Sequence, residues 1–120
     1  MAKKDAEHKE RVRDRAVQLT EDLAPLGDVT SRSMFGGFGI FESGVMFAMV
    51  DSSAIVRLRA DEVSAPALGA AGGEKFGSMP YWSIGDDVRA DPDKLIEWAT
   101  TALTVARQAK QGKAKKRKKS

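Results

Sequence analysis

Between Ser31 and Val50 the chain reads SRSMFGGFGIFESGVMFAMV, and its glycines and apolar residues answer two separate geometric demands. Gly36, Gly37 and Gly39 stand where side chains would otherwise be, which suits a tight bend or a close approach of one strand's backbone to another. Ser43-Gly44 is a turn signal, and every residue from Val45 to Val50 is apolar, as in a strand covered on both faces. The run predicts a hairpin at the heart of a packed sheet.

The flanking segments supply the layers. From Ala6 to Ala24, Val12, Ala16, Leu19 and Leu23 fall on one face of a helix, Glu7 and Arg11 can pair on its wet side, and Pro25 and Gly27-Asp28 end it. Strands are expected over Val29–Met34, Phe38–Glu42, Val45–Val50 and Ala54–Arg59. In the last of these Val56 and Leu58 make the apolar face, while Arg57 and Arg59 point to water or a partner. The short connections, Asp51-Ser52-Ser53 among them, imply an antiparallel meander. A weaker helix is expected from Asp61 or Glu62 to Ala70, with Val63, Ala67 and Ala71 on one face and Pro66 in its first turns. Met79–Ile84 reads as a strand whose Pro80 suits a start or an edge. Gly85-Asp86-Asp87 reads as a turn. Asp91, Pro92 and Asp93 then form a helix start, and Leu95, Trp98, Ala99, Ala102 and Ala106 give that helix its inward stripe. The order, α-β(3-4)-α-β(1-2)-α, predicts an α+β domain with an antiparallel sheet of about five strands flanked by helices.

Composition narrows the function classes. A chain of 120 residues without cysteine is long enough to bury roughly two thirds of its unfolded surface. It forms no disulfide scaffold and offers no thiolate chemistry, which fits a cytoplasmic protein. No stretch approaches the roughly 18 apolar residues of a membrane span, and the first residues lack a secretory signal. The net charge of +3 averages two unlike regions: seven of the 20 basic residues fall in 110–120, leaving 13 against 17 acidic ones before them, a net of −4. Residues 1–109 are therefore expected to form the domain, and 110–120 a disordered basic tail.

Four blocks carry a resemblance. Arg32-Ser-Met34-Phe35-Gly36-Gly37-Phe38-Gly39, Gly44–Ala48, Met79-Pro-Tyr81-Trp82 and Leu95–Ala99 stand in an order similar to that of the N-terminal domain of the TfoX/Sxy family of competence regulators. The resemblance implies a two-layer α+β fold like that of the secretion chaperones, a regulatory role, no recognised catalytic residues and no cofactor. Competence regulators of the family carry a second, C-terminal domain. Here the last helix leads into the basic segment, so a role in activating DNA-uptake genes is not carried over.

The residues themselves offer little catalytic chemistry. His8, the single histidine, lies among Glu7, Lys9 and Glu10 on an exposed turn, where a solvated residue is expected and no second histidine completes a metal pair. Asp86, Asp87 and Asp91 are oxygen donors, but turn and cap roles account for them, and their spacing fails the calcium-loop pattern. The glycines of Gly36–Gly39 lead into a strand and lack the Gly-Lys-Ser/Thr of a phosphate loop. Phe35, Phe38, Phe41, Tyr81, Trp82 and Trp98 are expected to pack.

Three readings of function follow. In the first, the domain is a noncatalytic module that docks on a protein through its sheet face or the Met34–Phe38 turn, with Arg32, Met34, Phe35, Gly36, Gly37, Phe38, Gly39, Tyr81 and Trp82 as the contact candidates, and a homodimer is compatible with it. In the second, Lys113, Lys115, Lys116, Arg117, Lys118 and Lys119 hold DNA or RNA nonspecifically, each phosphate contact steepening the salt dependence by about 0.9 log units. A solubilising terminus explains the same residues. The third, an enzyme for a small metabolite, requires a polar pocket lined by Asp86, Asp87 and Arg57.

Overall fold

A computed structural model describes the backbone of residues 2–34 and 36–119 and the side chains of residues 7–34 and 36–110. Helix α1 (Ala2–Asp22) is followed by a short 3-10 turn (Ala24–Leu26), four strands β1 (Val29–Met34), β2 (Gly37–Glu42), β3 (Val45–Val50) and β4 (Val56–Arg59), helix α2 (Ala65–Ala70), strands β5 (Lys75–Phe76) and β6 (Met79–Ser83), and helices α3 (Asp86–Ala90) and α4 (Pro92–Lys119). The strands form one sheet in the order β1-β2-β3-β4-β6-β5, and every pairing is antiparallel. The α+β architecture is as expected, with six strands.

Local chemistry explains the turns. Ser43 and Gly44 both have positive φ, 48° and 85°, the requirement of a two-residue hairpin turn whose twist matches the strands. A Cβ on Gly37 would lie 2.1 Å from the Val50 carbonyl oxygen, so only glycine lets β2 approach β3 there. The β2–β3 register shifts between Ile40 and Phe41, where Phe47 is the extra residue of a bulge and is fully buried. Asp51 builds the β3–β4 connection: its Oδ1 accepts from the amides of Ser53 (2.8 Å) and Ile55 (3.1 Å).

The helices lie on one side of the sheet. Val12, Ala16, Leu19 and Leu23 of the first helical segment meet Leu95, Ala99, Ala102, Leu103 and Ala106 of α4 over Ile40, Phe47, Ala48, Val50, Val56 and Leu58 in one core cluster. Register shows why: Ile40, Ala48, Leu58 and Trp82 stand in a row across β2, β3, β4 and β6, and Phe38, Val50 and Val56 form the next row on the same face. Each large apolar side chain buried here contributes about 1.5–3 kcal/mol. Asp91 starts α4 as expected, its Oδ1 accepting from the Lys94 amide at 3.3 Å.

One polar clasp closes this layer. Glu42, buried at the end of β2, accepts from the Asp28 amide (3.1 Å), the Ser43 hydroxyl (2.6 Å) and the Arg107 guanidinium. The Ser43 hydroxyl first, then Arg107 and the Asp28 amide, hold its carboxyl below the ordinary glutamate value. The clasp ties the loop after α1 and the β2–β3 hairpin to α4.

Several expectations need correction. Strand β5, the second of the one or two strands expected after α2, has only two residues, in a segment to which no element was assigned, and Asp86–Ala90 forms a short helix where a turn was expected. Helix α2 begins at Ala65, because Asp61 caps the preceding turn, accepting from the Val63 and Ser64 amides at 3.0 and 2.9 Å. Val63 is consequently 88% exposed, and Leu68 is the buried residue of α2. Among the described residues no helix is long and apolar enough to cross a membrane.

Candidate functional site

The alternation that sends Ile40, Ala48 and Leu58 into the core sends their neighbours to the opposite face, which no helix of the core cluster covers. One row there runs Arg32, Gly39, Met49, Arg57, Ser83 across β1, β2, β3, β4 and β6. Beside it stand Met34, opposite Gly37, the pair Phe41 and Met46, the pair Arg59 and Tyr81, and the pair Phe76 and Met79. Four of the chain's five methionines thus share one face with three arginines.

Gly39 is the floor of that face. A Cβ at this position would lie 2.9 Å from the Met34 sulfur and 3.0 Å from a Phe41 ring carbon, so the missing side chain lets both lie down over the sheet. Each arginine then covers an aromatic ring. The guanidinium of Arg32 stands 5.2 Å from the centroid of Phe41, that of Arg57 4.7 Å from Phe76, and that of Arg59 5.7 Å from Tyr81.

The three arginines differ in how they are satisfied. Arg57 is buried, its Nε donating to Asp51 Oδ2 at 2.9 Å and its Nη1 to the Glu74 carbonyl at 2.8 Å. Arg57 was expected to point to water or a partner, and it is instead buried within the chain: Asp51, which also orders the β3–β4 turn, supplies the counter-charge that permits burial. Arg32 is exposed and Arg59 half-buried, and neither enters an ion pair among the described residues. The Arg59 Nε is buried without an acceptor.

Near the Ser43-Gly44 hairpin the face opens into a cleft of about 410 Å³. Strands β3 and β4 pair only over Ala48–Val50, and beyond that point the Tyr81 hydroxyl reaches across to the Met46 carbonyl at 3.4 Å. Met46, Arg59, Met79 and Tyr81 line the cleft, and Ala106, Ala109 and Lys110 of α4 complete its wall at this end of the sheet. Burial raises the Tyr81 phenol above its ordinary value, and Arg59 opposes the shift.

The other candidates are dispersed. Gly36, with φ of 76°, and Gly37 make the β1–β2 bend, and Phe38 and Trp82 pack on the helical face, away from Arg32, Met34, Gly39 and Tyr81. Phe35, and the side chains of Lys113, Lys115, Lys116, Arg117, Lys118 and Lys119, lie outside the described residues. His8 is exposed and contacts the Ser52 carbonyl, and Asp86 pairs with Arg89. The pocket lined by Asp86 holds α1 side chains and neither Asp87 nor Arg57, so the three residues of the enzyme reading do not share it. Among the described residues no group of three His, Cys, Asp or Glu side chains is placed to hold a metal. The face was missed in part at the sequence level because its methionines are scattered over β1, β3 and β6. The signal that finds it is register, which aligns them.

Comparison with known proteins adds one positive finding. A family model described as the TfoX N-terminal domain matches residues 21–106, from the end of α1 through the α4 core stripe to Ala106. No curated protein matches the chain.

Proposed function

The chain belongs to the TfoX N-terminal domain family, and on that premise we propose that it is a noncatalytic regulatory domain that acts by docking another protein on the helix-free face of its sheet. The observation that carries this reading is the composition of that face: methionine and phenylalanine stand beside arginine, where a face destined only for water would carry few large apolar side chains. Methionine is unbranched and polarizable, so it conforms to more than one apolar partner. Arginine and aromatic residues are the types enriched at interface hot spots.

Three acidic side chains have structural roles: Glu42 in the clasp, Asp51 on Arg57, and Asp61 in its cap. A photo-crosslinking amino acid at position 34, on the face, and another at position 13, on α1, tests the proposal in cells. A protein adduct that forms from position 34 and not from 13 is the expected result. Adducts of equal yield from both positions, or from 13 alone, reject it.

A further inference from the structure

We propose that the segment recognised by this face is an acidic, apolar peptide, one of whose carboxylates is taken by Arg59 in the cleft while apolar side chains lie on Met34, Met46 and Met79. This rests on the docking reading above and adds the chemistry of the partner. The charge balance of the face is the first argument. Three guanidinium groups stand there, and the buried carboxylate beside them, Asp51, is already committed to Arg57. Arg32 and Arg59 are left without a counter-charge among the described residues, and Lys110 adds a further cation at the cleft's margin.

The second argument is the orphaned donor. The Nε of Arg59 is buried with no acceptor, although the guanidinium is held in place over Tyr81. A buried charged donor without a partner is the expensive half of an interaction whose other half is missing. A carboxylate presented in the plane of the guanidinium accepts from it in the bidentate geometry that favours arginine over lysine.

The third argument separates a peptide from a nucleic acid. Single strands gain their affinity by stacking bases on exposed aromatic rings. On this face Phe41, Phe76 and Tyr81 are each capped by an arginine, so their π surfaces are occupied. What is left between the charges is thioether and methyl surface, which suits apolar side chains.

The test uses the full chain with methyl-labelled methionine and two fluorescein-tagged peptides, one alternating Glu and Leu and one alternating Gln and Leu. The Glu peptide is expected to bind, to shift the methyl signals of Met34, Met46 and Met79, and to lose about tenfold in affinity with Arg59→Gln, as fits a charge-assisted pair. Arg32→Gln, at an exposed position, is expected to weaken it less, and Arg11→Gln on α1 not at all. If the Gln peptide binds equally and moves the same methyls, the acidic preference is wrong while the docking face stands. If neither peptide moves those methyls, the face itself is wrong. Displacement of the Glu peptide by an oligothymidine of equal charge at a lower concentration overturns the choice of a peptide.

Discussion

The two faces of the sheet are made by the same strands, yet they solve burial in opposite ways. On the helical face Ile40, Phe47, Ala48, Val50, Val56 and Leu58 interlock with the alanine and leucine stripe of α4, and shape does the stabilising. On the other face Met49, Arg57 and Tyr81 reach near-complete burial without a helical layer, because flexible side chains fold over one another and over Asp51. Branched aliphatic residues with few rotamers specify one packing. Methionine and arginine leave a surface that is closed but can be reopened by a partner.

The largest test of this contrast is Phe47→Ala. Removing the bulge residue from the helical face should cost about 3–5 kcal/mol and lower Tm by roughly 10–20 °C in a calorimetric scan. A loss of under half that size would mean that the bulge, not the packing, fixes the hairpin.

Next comes Asp51→Asn, which leaves the buried Arg57 charge without its counter-ion and is expected to cost about 3 kcal/mol in denaturant unfolding. The double variant Asp51→Asn with Arg57→Met should recover most of it, since an apolar side chain of similar length asks for no counter-charge. No recovery would show that Asp51 acts through the turn amides of Ser53 and Ile55 alone.

The faces should also differ in the pH limb they govern. Glu42 has its folded pKa below the ordinary 4.5, so its contribution is present above that value and is lost as pH falls through the lower folded one. Glu42→Gln should flatten the acid limb of a stability profile. Tyr81 has its folded pKa above 10.0, so its contribution is present below that value and fades as pH rises toward the higher folded one. As the chain has one tyrosine, an ultraviolet titration reads it directly, and a midpoint at or below the ordinary value would contradict the burial of the ring.

The smallest effect belongs to Met46→Ala on the helix-free face, expected to cost about 1 kcal/mol or less because the residue is half-buried and its neighbours can close over the gap. A cost equal to that of Phe47→Ala would erase the distinction between the faces.

How far the residues announced this arrangement depended on how local each cause was. The stripe Val12, Ala16, Leu19 and Leu23, the Ser43-Gly44 turn, and the Asp91-Pro92 helix start each act within a turn or two of chain, and each was legible. Strand β5 was not, because two residues carry no period and Lys75–Phe76 is extended only by pairing with β6. Arg57 was read as facing water or a partner because alternation gives a side chain's face and says nothing of its neighbours. Asp51, six residues away, and Phe76 and Glu74, beyond α2, are what bury it. The methionine face was legible residue by residue and invisible as a surface until register joined strands distant in sequence.

The brevity of the Ser43-Gly44 loop makes the hairpin intolerant of length changes in a way that longer loops are not. Lengthening β2 by one residue between Gly39 and that loop would turn Glu42 away from Arg107 and exchange Phe41 for it beneath α4. Relatives of this domain that differ in length should accordingly place their insertions in the stretch between β4 and β5, where no two-residue turn holds opposing strands in step.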